Sequence, residues 1–307
     1  MESRSFFHSP ELFRISERTS GQKPYMVVAE ENGVVVAHLL AVLRRRGSLI
    51  PPYLFTQGRI YGEGEYSPDI NKEEVFKLML SAITQKLKHK LCLNIEFSDL
   101  SQKMFGYKHF KQEGYFPVHW MEVHNSLHSM PPEERLDEKM SERINRLIEQ
   151  EVEFKQVEDY QQFRKFYKML NQFPSLKIRR YLPPAKQFWE LGQGESCRLF
   201  ATIWRSKVIG GCVCVYSNNN AYLWYLASKR KSHPLLYPAT ATVWGAISDA
   251  YERKFRHIYF MDVGLPFKKS PYRDFILRFG GMEVSSYRWF RFTFGWLNYL
   301  MRKIYKE

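Results

Sequence analysis

The stretch His257–Gly280, HIYFMDVGLPFKKSPYRDFILRFG, decides the reading of the fold, because its order of residue types occurs twice in the chain. It opens on an apolar run, His257 to Val263, that contains Asp262, and closes on Tyr272, Phe275, Phe279 and Gly280. Ahead of it, Trp244, Ile247, Tyr251 and Phe255 recur at steps of three and four, one face of a helix. After it comes an aromatic run from Tyr287 to Phe294. The first half has the same order. Phe76, Met79, Leu80, Ile83 and Leu87 line one helical face, an apolar run from Leu91 to Phe97 contains Glu96, and Phe105, Phe110, Gly114 and the run Tyr115 to Val123 follow. Glu96 to Gly114 and Asp262 to Gly280 both span 18 positions, which predicts Glu96 and Asp262 at equivalent strand positions.

Working outward, each half opens on strands. Tyr25 to Ala29 and Val34 to Val42 flank Glu31-Asn32-Gly33, a strong hairpin signal. Arg198 to Trp204, Val208 to Tyr216 and Ala221 to Leu226 predict a three-strand meander with turns at Arg205-Ser206-Lys207 and Ser217 to Asn220. Helices are predicted ahead of each sheet, near Ser9 to Arg18 and Tyr160 to Leu170. The polar, proline-bearing stretch SLHSMPPEERLDEK (126–139) predicts the boundary, giving domains 1–127 and 128–307. The fold class expected is α/β, an α+β mixed sheet in two tandem units.

A chain of 307 residues with 44% apolar content can bury two cores. Its formal net charge of +14 attracts polyanions: nucleic acid, phosphorylated donors or an anionic membrane face. The four cysteines form no C-x-x-C pair; Cys212 and Cys214, two apart in an apolar run, should face one side of a strand as reduced thiols. His124 and His128 have a zinc-like spacing without an accompanying cysteine pair, and no bound metal is expected. No signal-peptide core and no ~20-residue apolar span occur, so the expected location is cytoplasmic, with a membrane-peripheral one as the variant. No Ser-His-Asp order, Walker loop or HExxH is present. Aminolysis of an ester or thioester needs little beyond proximity and a deprotonated amine.

Three segments carry a family resemblance: Ser141-Glu142-Arg143-Ile144-Asn145-Arg146, Phe260-Met261-Asp262-Val263-Gly264, and Ser270-Pro271-Tyr272-Arg273-Asp274-Phe275 with Phe279-Gly280-Gly281. On these the chain resembles the GNAT-type N-acetyltransferases and, over nearly its full length, the FemAB-like peptidoglycan-bridge aminoacyltransferases with two tandem GNAT-like domains. The resemblance implies transfer of an acyl or aminoacyl group from acyl-CoA or aminoacyl-tRNA to an amine, a cell-wall precursor being one candidate acceptor. It places the donor in the C-terminal unit. Acetyl-CoA-dependent members carry a glycine-rich pyrophosphate loop; here Lys229 to Pro238 is cationic and has no glycine, which leaves tRNA open as the partner. Two rival readings stand beside it: an acetyl-CoA N-acetyltransferase of a small amine, and a non-catalytic RNA- or membrane-binding module. DNA is not an expected partner.

The candidate residues follow. Lys229, Arg230 and Lys231 are read as a phosphate-binding edge, or as a solvated loop. Asp262 would orient or deprotonate the amine, or cap a turn or pair with Arg273. Lys268 and Lys269 would neutralise donor phosphate, and Tyr272 would protonate the leaving group or simply be buried. Arg179, Arg180 and Tyr181, with Lys177, would cover an acceptor site or form a connector. The C-terminal run Trp289 to Tyr305 reads as a last strand plus a terminal helix closing the core, against an interfacial segment touching anionic lipid.

Overall fold

Asn32 and Gly33 both take left-handed φ, 52° and 77°. This is the type I′ turn that suits a twisted hairpin. Strands β1 (Gln22–Glu31) and β2 (Val34–Gly47) therefore pair with Glu31 opposite Val34. A computed structural model describes residues 5–47, 54–100, 105–172 and 181–305, with Arg46 as backbone alone. It divides into two units, Met1–Trp120 with Ser285–Glu307, and Met121–Val284.

In the first unit, helix α1 (Pro10–Glu17) is capped by Ser9, whose side chain accepts from the Leu12 N–H. After β2 come β3 (Leu54–Tyr61), the short β4 (Glu65–Tyr66), α2 (Lys72–His89), β5 (Asn94–Ser98) and α3 (Tyr107–Gln112). The sheet order is β1-β2-β3-β5-β12, where β12 is Met282–Phe292, and β3 and β5 are parallel. Helix α2 lays Phe76, Leu80, Ile83 and Leu87 on this sheet against Leu39, Ile60, Ile95 and Phe97. Each such burial contributes roughly 1.5–3 kcal/mol. Helix α9 (Gly295–Ile304) follows β12.

The second unit takes the end of β6 (Phe116–Ser126), α4 (Glu138–Glu149), β7 (Glu153–Gln156), α5 (Tyr160–Gln172) and α6 (Ala185–Leu191). It continues with β8 (Cys197–Trp204), β9 (Lys207–Ser217), β10 (Asn220–Ser228), α7 (Pro238–Glu252), β11 (His257–Phe260) and α8 (Pro271–Leu277). Its order is β6-β11-β10-β9-β8-β7, antiparallel except for β10–β11. The two meander turns are two-residue loops, Arg205-Ser206 and Asn218-Asn219, all at positive φ. Cys212 and Cys214 lie on one side of β9, buried, with sulfurs 3.8 Å apart. The α+β mixed sheets match the fold class read from the sequence.

The structure differs from the sequence reading at two points. The units divide inside β6 and inside β12, where the sequence reading put one boundary at 127/128. The reason is strand pairing: β12, from the end of the chain, lies beside β5, while Val123–Ser126 lie beside β11. Glu96 and Asp262 are also not equivalent. The helix-to-strand spacing is the same in both halves, His89 to Asn94 and Glu252 to His257, so Glu96 matches Tyr259 and Asp262 matches Asp99. Gly114 and Gly280 do match: they have φ of 78° and 76°, and both stand two residues before a strand. The second half holds its extra residues between strand and glycine.

Candidate active site

The site grows from the parallel pair in the second unit. Asn220–Leu223 of β10 pair with His257–Phe260 of β11, and there β11 ends. Strand β10 continues to Ser228, still paired with β9 on its other side. A bulge between Leu223 and Tyr225 places Trp224 as the extra residue against β9. Among the described residues, no strand pairs the edge of Trp224–Ser228 that β11 leaves. The chain turns away at once, because Asp262 and Gly264 take φ of 62° and 107°. The carboxyl half of β10 is thus left beside no described strand at the carboxyl end of a parallel pair, the position where open sheets place their ligands. Left-handed non-glycine residues such as Asp262 cost about 1–3 kcal/mol and collect at functional sites.

The turn after β10 is cationic. Lys229 ends the ladder, its N–H donating to Ile209 O at 2.7 Å, and Lys229, Arg230 and Lys231 are all exposed in the turn that leads to α7. Tyr237 begins α7 at φ 37°, taking the left-handed conformation that glycine usually supplies. Pro238 is the first helical residue, so the first-turn N–H groups beyond it have no intrahelical acceptor. Thr242 Oγ1 donates to Pro238 O at 2.7 Å and lies 2.6 Å from Thr202 Oγ1, which pins this turn to β8. Gly210 in β9 allows the approach: a Cβ there would meet Thr242 Oγ1 at 2.5 Å. Arg143 of α4 lies over the Tyr237 ring, 5.2 Å from its centroid. It also lines a cavity of about 360 Å³ with Lys139, Met140, Asp137 and Arg278. In the sequence α4 stands out through Ser141–Arg146, one of the segments that carry the family resemblance; Lys139, Arg278, Trp224 and Tyr237 carry no signal there except the proline after Tyr237.

The other expected residues fall as follows. Asp262 is half-buried directly after β11. Lys268 and Lys269 are exposed in the loop that follows, beside an exposed Phe267. Arg273 holds that loop: it donates to Leu265 O (3.0 Å) and Lys268 O (3.3 Å), and its Nε is 3.1 Å from Glu283. Tyr272 is half-buried against the core of the second unit. Topology thus brings Asp262, Lys268, Lys269 and Tyr272 into one loop–helix segment at the end of the sheet where Lys229–Lys231 stand. Tyr181 is half-buried, and its carbonyl accepts from Tyr225 OH at 2.7 Å. Lys177, Arg179 and Arg180 lie outside the described residues. His124 and His128 each pack edge-to-face on His257, at 5.5 and 5.0 Å. Among the described residues no three His, Cys, Asp or Glu side chains could hold a metal ion.

The equivalent end of the first unit is closed. Parallel pairing runs on past Tyr61, with Gly62 N–H donating to Ser98 O. Residues 5–9 plug it: Phe6, Phe7 and His8 are buried, Phe7 packs 4.7 Å from Tyr61, and His8 Nδ1 accepts from the Leu40 N–H. Burial pushes His8 down to about 4 and Glu63 up to about 8. Glu96 is absorbed in a buried polar row, bonded by Arg59, Arg288 (3.2 Å) and Gln57 (2.6 Å).

Known folds settle the architecture. Over 97% of this chain and 94% of the other, the structure is similar to that of FemX, with a TM-score of 0.66 at 9% identity. The fold is that of the FemAB-like tandem GNAT proteins. L-PGS from Bacillus licheniformis matches over 100% of this chain and 99% of its own, with a TM-score of 0.61 at 10% identity. A tandem GNAT protein from the clavulanic acid biosynthesis pathway matches over 96% and 91%, with a TM-score of 0.59 at 10% identity. No protein-family model matches the sequence, and no curated protein sequence does. The tandem GNAT-like reading of the repeat therefore holds at the level of the fold, while chemistry has to be argued from the site.

Proposed function

We propose that this chain is an acyltransferase that moves an aminoacyl or acyl group from a polyanionic donor to an amine, at the carboxyl end of the parallel pair β10 and β11 of the second unit. The observation that carries the reading is the parallel pair in which β11 ends before β10, with β10 running on into a cationic turn and the N-terminus of α7. The amine nitrogen attacks the carbonyl carbon of the donor; a C–N bond forms and the C–O bond of an ester, or the C–S bond of a thioester, breaks. Asp262 at the strand end accepts the amine proton, and Tyr272 supplies one to the leaving oxygen or sulfur. The edge of β10 beyond Tyr225 offers backbone N–H groups to the charge that develops on the carbonyl oxygen. Lys229, Arg230 and Lys231, with Lys268 and Lys269, hold donor phosphates, and Tyr181 borders the acceptor side. The glycine-free turn fits side-chain capture of a nucleic-acid backbone better than a tight cradle for pyrophosphate, which favours aminoacyl-tRNA over acyl-CoA. A neighbour described as the C-terminal domain of a putative lysylphosphatidylglycerol synthetase shares the fold at a TM-score of 0.60, which supports aminoacyl transfer within this architecture. The acceptor proposed is an amine of a cell-wall precursor.

The test is thermal shift and native mass spectrometry with deacylated tRNA, CoA and acetyl-CoA. A ligand that binds the folded state alone raises Tm by mass action. tRNA should bind, with a salt slope that falls by about 3 when Lys229, Arg230 and Lys231 are all replaced by Ser. Unchanged affinity and slope in that variant would return the turn to solvent, and binding by none of the three ligands would overturn the reading.

A further inference from the structure

The terminal helix α9 presents an unusual face. No residue of Gly295–Ile304 is buried. At about 100° per residue, Leu297, Asn298, Met301 and Arg302 form its inner side and are half-buried. Asn298 anchors it: its amide donates to Gly114 O at 2.9 Å, and its carbonyl oxygen accepts from the Phe292 N–H at 2.9 Å. Tyr305 stacks on Phe116. The opposite side is a continuous stripe of Trp296, Tyr299, Leu300, Lys303 and Ile304, all exposed, Trp296 by 70% and Ile304 by 59%. The helix closes no core, contrary to the sequence expectation, although β12 before it is the strand expected.

The strand register sets this helix beside a second exposed group in the same unit. Arg45 on β2 pairs with Thr56 on β3. Thr56 O accepts from Leu93 N–H, and Leu93 O accepts from Thr293 N–H. That row is one end of the sheet, and beyond it lie Lys90, Leu91, Phe294 and α9. Leu91 is 82% exposed and Phe294 is exposed as well. Among the described side chains of the segments on this rim, 44–47, 54–57, 88–93 and 292–304, there are six lysines and arginines and no carboxylate. Glu113, at the end of α3, is taken up by Arg291, 3.7 Å away.

We infer that this rim is a membrane-docking surface: α9 lies in the interface of an anionic bilayer, with Trp296, Leu300, Ile304 and Leu91 in the headgroup–acyl boundary and Arg45, Lys90 and Lys303 on lipid phosphates. Exposed aliphatic side chains beside Trp and Tyr, with cations the only charged side chains described in those segments, are what an interfacial helix requires. Charge excludes the same face docking on its own copy, since a two-fold contact would set cations against cations. Nucleic acid has no use for Leu91, Leu300 and Ile304. The inference stands on the exposed surface and is independent of the transfer chemistry.

The full chain is mixed with large unilamellar vesicles, either of phosphatidylcholine alone or with about 30% of the anionic lipid phosphatidylglycerol, whose negative surface potential attracts basic segments. The bound fraction is measured by sedimentation at two salt concentrations. Binding to the anionic vesicles should be at least about tenfold tighter than to the neutral ones and should weaken with salt. Lys90→Gln with Lys303→Gln should lower it about 25-fold, about fivefold for each cation. Trp296→Ser with Ile304→Ser should lower it about tenfold or more without a change in Tm. Absence of wild-type binding to the anionic vesicles, which needs no variant, overturns the inference. So does binding that neither double variant weakens, or a concentration-dependent dimer in analytical ultracentrifugation that Trp296→Ser with Ile304→Ser abolishes.

Discussion

Asp262 and His8 show how one residue reports on the state of a whole strand end. Asp262 sits at φ 62°. Asparagine tolerates that conformation as well as aspartate does, so Asp262→Asn removes a charge without straining the backbone. Arg273 is engaged with Leu265, Lys268 and Glu283. As the group that accepts the amine proton, Asp262 replaced by asparagine (Asp262→Asn) should lower transfer by roughly 10²–10⁴-fold, the range for lost general-base help, and Tm measured on the same variant separates that role from a structural one. A fall in Tm with transfer intact would make Asp262 a turn residue. At the closed end of the first unit, His8 is buried neutral and its folded pKa is pushed to about 4 from 6.5. The unfolded chain then binds the extra proton between pH 6.5 and 4, so this contribution to stability is present above pH 6.5 and lost as the pH falls toward 4. The shift corresponds to about 3 kcal/mol. His8→Gln keeps an acceptor for the Leu40 N–H but cannot titrate. Urea unfolding of the two proteins should give curves whose stability difference changes by that order between neutral pH and the folded pKa, and a pH-independent difference would place the acid sensitivity elsewhere.

At the scale of elements, α7 carries the site because it can approach the sheet closely. Gly210 in β9 and Gly245 in α7 both stand where a Cβ would collide, with Thr242 Oγ1 at 2.5 Å and with the Phe154 ring at 2.2 Å. The hydroxyl pair Thr202–Thr242 and the bond from Thr242 to Pro238 O then hold the first turn of α7 against β8. Gly210→Ala must displace Thr242, and overpacking of this kind costs about 1–3 kcal/mol. Because Tyr237 and Pro238 move with that turn, the variant should weaken donor binding beyond its effect on Tm. Isothermal titration at a temperature well below Tm separates the two, and donor affinity equal to wild type would show that the helix start does not touch the donor.

At the scale of the molecule, the closing strand of each unit comes from the other half of the sequence: the first unit takes β12 beside β5, and the second takes the end of β6 beside β11. Fragments 1–127 and 128–307, cut at the boundary the sequence predicts, would each lack a strand, leaving the edge of β5 in one and of β11 in the other unpaired. Each alone should show low cooperativity in thermal unfolding and a tendency to aggregate, while co-expression should restore a soluble species that unfolds cooperatively. Two fragments that each fold cooperatively alone would contradict the strand exchange.

The local grammar of the chain is written in short-range pattern. The helical faces of α2 and α7, the hairpin at Asn32-Gly33 and the meander turns at Arg205-Ser206 and Asn218-Asn219 follow from apolar spacing and from residues suited to positive φ, both short-range properties. The tandem α+β plan and the cationic turn after β10 were legible on the same basis. Only the tertiary structure decided which strand closes which sheet, since β5 and β12 are joined by pairs such as Glu96 with Phe290 that no local pattern encodes. It also moved the partner of Asp262 from Glu96 to Asp99, because helix-to-strand spacing sets register while loop length absorbs the remainder. That residues 5–9 plug the first unit's strand end was likewise a tertiary outcome, because burial of Phe6, Phe7 and His8 depends on a surface assembled from distant parts of the chain.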